Sequence, residues 1–296
     1  MLVPAGMARS EPATRPGLAW TYDGGRPALL ERALPLIDFI EVMPDAVSQM
    51  EGNRAVLDEV KVAELEAIAP RAAIIIHGIG LSIGSAEGWS ARYLGLLDEL
   101  VPRLHPRWHS EHLGYVSVGG DYLGTMLTMP RTEEALDLLV ERVQAIQGRF
   151  GIPFLLENIV RIRPDYPAEY SEAAFLNELT TRTGCGLLLD VYNLQCDVRN
   201  NGFDLDSFLE ELDIGQVQEI HVAGGVEHRG FQLDIHSTRV APSTVALAER
   251  VIAAAGSVRA VTFELLDEAV ESVGEDGIVA ELALLRERLV EGATAL

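Results

Sequence analysis

Seven short apolar runs along this 296-residue chain close on a histidine or a carboxylate: FIE at Glu41, AAIIIH at His77, WHSEH at Glu111 and His112, FLLE at Glu157, GLLLD at Asp190, VQEIH at His221 and AVTFE at Glu264. Imidazole nitrogens and carboxylate oxygens are the donors that bind first-row transition ions and that move protons. Asp234 and His236 add a further pair in LDIHS. In extended backbone an Asp-x-His pair presents both side chains on one face, within reach of one ion. Four imidazoles (His77, His112, His221, His236) and four carboxylates (Glu157, Asp190, Asp234, Glu264) exceed the roughly six ligands of one transition ion, which implies two or three ions with bridging carboxylates. The mixed donor set suits iron, manganese or zinc, because calcium or magnesium would not need so much imidazole. Asn193, three residues beyond Asp190, offers an amide oxygen to the same set.

These groups are far apart in sequence, so the elements that carry them must bring them together. Continuous apolar runs suit strands buried on both faces, as in a parallel sheet flanked by helices. With Gly17 to Trp20 as a first strand, strands are expected near 17–20, 38–43, 72–77, 107–112, 153–157, 186–191, 217–223 and 260–265. Between them, helical periodicity runs over 54–69, 88–101, 132–150, 171–183, 205–212, 242–255 and 275–292. Thr132 and Ser171 fit N-caps, and Gly151 followed by Pro153 ends its helix. Eight strands alternating with helices predict a single-domain (β/α)8 TIM-type barrel over 17–296, whose strand C-termini share one mouth. A doubly wound open sheet is the rival, but no phosphate-binding fingerprint follows any strand, and the glycine-rich HGIGLSIGS at 77–85 fits none.

Composition narrows the function. A hydrophobic fraction of 48% supports a large core, and no uncharged apolar stretch approaches the roughly 20 residues of a membrane helix. Net charge of −22 with 23 dispersed Lys and Arg argues against nucleic acid as a partner. Residues 1–16 read as a loose tail without a signal-peptide core, with Met7 as an alternative start, so a cytoplasmic location is the expectation. Two cysteines, Cys185 and Cys196, have no CxxC spacing; Cys185 reads as a small buried side chain, and Cys196 lies just past a strand end where it could line a site.

Other candidates carry weaker signals. Glu111 faces away from its neighbour His112 in a strand and reads as a partner to a histidine or as a structural ion pair. Glu41 reads as a rim carboxylate or a support to the ligands, Asn158 as a loop cap or a substrate contact, and Asn200 and Asn201 as loop caps. The remaining histidines, His105, His109 and His228, fall at a helix end, early in strand four and in a loop.

Taken in order, the motifs GLAW at 17, IDFIEVMPD at 37, IHGIGLSIGS at 76, SEHLGYV at 110, LLENIVRI at 155, TGCGLLLDVYN at 183, NNGFD at 200, EIHVAGG at 219, LDIHSTRV at 233 and TFELL at 262 run nearly end to end. Their series resembles the DUF692 (UPF0276) proteins, the multinuclear non-heme iron-dependent oxidative enzymes. The resemblance implies a TIM-type barrel holding two or three irons in mixed Fe(II)/Fe(III) states, with dioxygen as cosubstrate. It implies modification of a precursor peptide, often at cysteine, in ribosomal natural-product pathways, commonly with a separate leader-binding partner. Carried over by motif, His77, His112 and Glu157 look like ligands of one part of the cluster, and Asp190, Asn193, His221, Asp234, His236 and Glu264 like the rest.

The chain departs from the family pattern where Tyr192 replaces an asparagine, where Gly225 stands in place of a histidine, where Glu111 stands in place of an aspartate, and where Leu265-Leu266 follows Glu264. These departures spare the ligand set and bear on the substrate, with Tyr192 joining Glu41, Glu111 and Asn158 as substrate or supporting candidates. Two other readings compete: a xylose-isomerase-like divalent-metal isomerase or phosphodiesterase, and a non-enzymatic metal-dependent peptide-binding protein. The isomerase or phosphodiesterase would recruit Lys or Arg to the strand ends, where only Arg161, Arg163 and Arg199 stand.

Overall fold

In the computed structural model, which describes residues 15–52, 54–162 and 168–292, each of the eight expected strands forms and joins one parallel barrel. They are β1 (Gly17–Thr21), β2 (Phe39–Val42), β3 (Ala73–Gly78), β4 (His109–His112), β5 (Phe154–Glu157), β6 (Gly186–Asp190), β7 (Val217–Val222) and β8 (Ala260–Phe263). Neighbours in sequence are neighbours in space, and β1 pairs with β8 through Gly17–Ala260 to Trp20–Phe263, which closes the barrel. Closure leaves the barrel itself without an edge strand. Arg163 and the tail up to residue 14 lie outside the described residues.

Helix boundaries follow local hydrogen-bond chemistry. Thr132 and Ser171 accept from Ala135 N and Ala174 N, capping Glu133–Phe150 and Glu172–Thr183, and Gly151 ends the first in the left-handed conformation. One expected helix is shorter. Arg54–Leu57 is instead the second strand of a hairpin with Ser48–Glu51, and helix begins only at Glu59, where the Asp58 side chain accepts from Val60 N and Lys61 N. The expected 275–292 helix is α-helical over Glu275–Leu285 and widens to a π-helix over Arg286–Glu291. Helices Pro27–Ala33 and Val191–Asn201 and hairpins Gly114–Val118/Asp121–Thr128 and Glu227–His228/Phe231–Gln232 were not apparent from periodicity, so His228 sits in a short strand rather than a loop. Among the described residues no helix is long and apolar enough to cross a membrane.

Side chains alternate between the helix-facing core and the barrel interior, and the interior changes character along its axis. Ala19, Ile75, Trp108, Leu155, Leu188 and Ala260, with Phe39 against them, make an apolar floor. Two residues further along these seven strands, on the same face, stand Thr21, His77, Ser110, Glu157, Asp190, Thr262 and Glu41, all buried, and on β7 the corresponding pair is Glu219 and His221. The floor therefore seals a polar layer that opens only at the C-terminal mouth. Leu155 is fully buried in this floor, directly beneath Glu157. Leu155→Ala should cost about 2–5 kcal/mol, read as a lower urea midpoint at unchanged slope.

Candidate metal centre

The polar layer is a ladder in which imidazoles and carboxylates alternate. Glu157 sends Oε2 to His77 Nε2 (3.2 Å) and His112 Nε2 (3.1 Å), and Oε1 to His221 Nδ1 (3.4 Å). Glu264 repeats the division, with Oε2 2.9 Å from His221 Nδ1 and Oε1 3.1 Å from His236 Nδ1. His236 Nε2 ends the ladder 2.5 Å from Asp234 Oδ1 and 3.9 Å from Asp190 Oδ2. Three overlapping groups have the spacing to hold an ion: Glu41, His77 and His221; His77, His112 and Glu157; and Glu157, Asp190, His221 and Glu264.

The donors fit transition ions better than they fit one another. His77 Nε2, Glu157 Oε2, Asp190 Oδ2, Asn193 Oδ1 and His236 Nε2 are buried atoms that make no hydrogen bond, although they crowd into one space. Buried lone pairs of this kind are costly unless a cation receives them. Neighbours also aim them. Ser110 donates to Ile76 O (3.2 Å) and so accepts from His77 Nδ1 (2.9 Å), while His112 Nδ1 donates to Gly78 O (2.9 Å). In both rings the Nδ1 proton is thereby committed, so it is Nε2 that faces Glu157 and is the nitrogen open to an ion when the ring is neutral. Asn193 donates its amide N–H to Asn158 O (3.2 Å), which leaves Oδ1 to the centre.

Electrostatics in the metal-free protein follow from burial and alternation. Burial opposes the charging of His77, but the Glu157 and Glu41 carboxylates outweigh it and lift the group to about 9. The same contest raises His221 through Glu41 and Glu264, and His236 through Glu264 and Asp234. Burial likewise opposes ionisation of Glu157 and Glu264, yet flanking imidazoles hold both below the ordinary carboxylate range. Asp190 goes the other way: burial dominates, His236 gives partial relief, and the neighbouring carboxylates push it well up. Like and unlike charges are thus sorted by position, as is usual where groups are prepared for chemistry.

Of the residues singled out from sequence, His77, His112, Glu157, Asp190, Asn193, His221, His236 and Glu264 meet inside the mouth, with Asp234 at its partly exposed edge. The Asp-x-His geometry differs from expectation: His236 has φ +38°, a left-handed turn rather than extended backbone, and this turn points its ring inward from the loop after β7. Glu41 is no rim residue. It is fully buried in the polar layer inside the barrel, 2.9 Å from His221 Nε2. Glu111 lies 3.1 Å from His109 Nε2, outside the ladder, and burial together with Glu111 and Asp45 pushes the Tyr93 hydroxyl well above its ordinary range. Asn158 clamps β5 to β6 by accepting from Asp190 N (2.8 Å) and donating to Asp190 O (3.0 Å).

Two departures from the family pattern prove to be neighbours. A Cβ on Gly225 would lie 2.4 Å from the Tyr192 hydroxyl, which donates to Leu233 O (3.1 Å), so the phenol occupies the space a side chain at 225 would need. Cys185 and Cys196 are buried and unpaired by disulfide. Arg161 and Arg199 pair with Asp197 and Glu227. Sequence reading missed Glu219, fully buried beneath His221, which accepts from Trp108 Nε1 (2.7 Å) and Thr262 Oγ1 (2.6 Å). The signal was present in VQEIH, where Glu219 shares the strand face of His221.

Above His112 and Asp234 lies a cavity of about 510 Å³ walled by Ile79, Ile162, Phe231 and Ile235, with Asn200 and Asn201 among its polar lining. Ile79 also walls a second cavity of about 850 Å³, bounded by Tyr93, Met50 and Tyr122. Both openings lie on the segments that follow the strand C-termini, where barrel enzymes build their sites.

Comparison with known proteins agrees with this architecture. Residues 17–287 match the family described as RiPP precursor modification enzyme MbnB/TglH/ChrH, RiPP being a ribosomally synthesised and post-translationally modified peptide. A UPF0276 protein of Caulobacter vibrioides (strain NA1000 / CB15N) is 33% identical over 268 residues, covering 90% of this chain and 91% of the relative. Another, from Anaeromyxobacter sp. (strain Fw109-5), is 35% identical over 206 residues, 70% of each chain. Among solved structures, D-psicose 3-epimerase from Clostridium cellulolyticum H10 aligns with a TM-score of 0.58 at 14% identity, covering 93% of this chain and 99% of that one. The 3-keto-D-glucoside 4-epimerase YcjR from E. coli aligns at 0.55 and 13%, covering 92% and 99%. At that identity the likeness is one of fold, a closed barrel of parallel strands. The match along residues 17–287, with relatives a third identical over most of their length, places the chain in the MbnB/TglH/ChrH family of RiPP precursor modification enzymes, the UPF0276 proteins.

Proposed function

We propose that this enzyme is an iron- and dioxygen-dependent oxidoreductase that modifies a precursor peptide, at cysteine, in ribosomal peptide natural-product biosynthesis. The observation that carries the reading is the division of Glu157 and Glu264 between successive histidines, the arrangement expected of carboxylates that bridge adjacent ions. His77, His112 and Glu157 would hold one ion, and Glu157, Asp190, His221 and Glu264 a second. Asn193, Asp234 and His236 complete the mouth side and set whether a third is held. Two or three irons bound there would supply dioxygen activation and the exchange of electrons with substrate.

The chain itself supplies ligation, exclusion of water and orientation. The apolar floor closes the barrel below, so substrate approaches only over His112 and Asp234, which are the more exposed members of the set. The walls of Ile79, Ile162 and Phe231 favour an apolar stretch of peptide beside the reacting residue. A separate leader-binding partner and a cytoplasmic setting belong to the same reading.

The direct test purifies the full chain from iron-rich medium, measures bound metal, and admits air to anaerobically reconstituted protein with a cysteine-bearing peptide encoded beside the gene. The expected result is bound iron and an oxygen-dependent mass change in the peptide. Zinc or manganese in place of iron, with sugar or phosphodiester turnover indifferent to oxygen, would establish the isomerase or phosphodiesterase reading instead.

The substrate wall gives a second expectation. Ile79→Asp places a charge on a partly exposed apolar wall and should raise KM for the peptide about tenfold, the equivalent of about 1.4 kcal/mol, with metal content unchanged.

The pH response should differ in sign between the two forms. In the metal-free protein, His77 rises from an ordinary 6.5 to about 9, so its contribution to stability is complete below about 6.5 and is lost as pH climbs through about 9. His221 and His236 act in the same direction, and Glu157 and Glu264, held low, contribute evenly across this window. The metal-free Tm should therefore fall from pH 6.5 to 9, whereas the increment gained on adding metal should grow, because ligands bind deprotonated. A metal-free Tm that rises over this range would refute the imidazolium ladder.

A further inference from the structure

The histidines of this centre are not equivalent, and the difference lies in what stands behind each ring. His77 and His112 are backed by neutral acceptors, the Ser110 hydroxyl and the Gly78 carbonyl, each 2.9 Å from Nδ1. His221 has a carboxylate on both sides. Glu264 Oε2 lies 2.9 Å from Nδ1 and Glu41 Oε2 lies 2.9 Å from Nε2. Resting on the metal-centre reading above, we propose that Glu41 is a positioning residue. It holds the Nε2 proton of His221, so that this ring ligates through Nδ1 while His77 and His112 ligate through Nε2.

Three observations support the assignment. Both oxygens of Glu41 already have partners, Oε1 taking the Thr21 hydroxyl at 2.9 Å and Oε2 taking His221. By contrast, among the residues of the centre itself, Glu157, Asp190, Asn193, His77 and His236 each carry a buried atom without a hydrogen bond. The groups that His221 Nδ1 faces, Glu157 and Glu264, are the ones shared with neighbouring histidines, so an ion among them meets Nδ1. Among the described residues, the acids that face Nε2 are Glu41 at 2.9 Å and Glu219 at 3.7 Å, and Glu219 is satisfied by Trp108 and Thr262. This argues against Glu41, His77 and His221 acting as a separate deep site, although their spacing alone would allow one.

The assignment has a chemical consequence. A carboxylate behind an imidazole raises the basicity of the opposite nitrogen more than a hydroxyl or a carbonyl does. An iron held by His221 would thereby be biased to the higher oxidation state, and one held by His77 and His112 to the lower.

Zinc serves as a diamagnetic probe. In full-length protein labelled with ¹⁵N-histidine and loaded with Zn(II), long-range ¹H–¹⁵N correlation should show His221 protonated at Nε2 with Nδ1 bound to metal. His77 and His112 should show the reverse. Glu41→Gln, whose amide oxygen still accepts the Nε2 proton, should keep the pattern; after iron loading it should raise the reduction potential of one ion. Glu41→Leu should lower zinc affinity about 10–100-fold. Zinc bound through Nε2 of His221 would overturn the assignment while leaving the metal centre intact. Failure of the wild-type chain to take up zinc or iron at all would overturn the metal-centre reading itself. The wild-type spectrum decides the tautomer even if the leucine variant does not fold.

Discussion

The structure depends on keeping several ionisable groups away from water at one depth of a barrel. A lone buried charge would be prohibitive, so the groups are stacked with imidazole between carboxylates, each neutralising the next. Glu157 and Glu264, which turn their two oxygens in opposite directions, make the alternation continuous from His77 to His236. The same arrangement leaves unmatched lone pairs in the middle, because carboxylates and neutral imidazoles both seek a positive partner there. Fold and chemistry therefore meet in one constraint. The polar layer is tolerable as a ladder of ion pairs and becomes fully matched only with cations among its rungs.

The barrel makes that constraint manageable. Parallel strands put every C-terminus at the same end, and the two-residue repeat puts one polar side chain per strand at the same height, above an apolar floor that includes Trp108 and Leu155. Supports reach the layer from below and from the side. Trp108 and Thr262 hold Glu219, Thr21 holds Glu41, and Asn158 ties the ends of β5 and β6 through the backbone of Asp190. None of these bonds requires the hairpins at the mouth, which are free to shape the cavities around Ile79.

The barrel and most of the ladder were legible in the sequence, because strand ends carry both an apolar run and a chemical signature, and a parallel barrel converts such ends into a cluster. His77, Glu157 and Asp190 needed nothing more. Residues whose role depends on loop conformation were less accessible. The inward turn of His236 rests on a left-handed backbone that no periodicity announces, and the Arg54–Leu57 strand hides in a segment whose pattern also suits a helix. Glu41 and Glu219 were undervalued for a different reason. Their place inside the barrel shows only when alternation is followed backward from the strand end, through Glu41 in FIE and Glu219 in VQEIH. The adjacency of Tyr192 and Gly225 is a matter of tertiary contact, and two separate sequence positions give no sign that one fills the space of the other.

Ile79 stands as a ridge between the two cavities at the mouth. An extended chain laid across such a ridge advances about 3.3 Å per residue and turns successive side chains to opposite sides. A guest could not place one residue over the metal centre without committing its neighbours to the second cavity. Selection among several equivalent residues of one peptide would then be a matter of phase, set by distance along the guest backbone from the ridge, and not of the intrinsic reactivity of any one side chain.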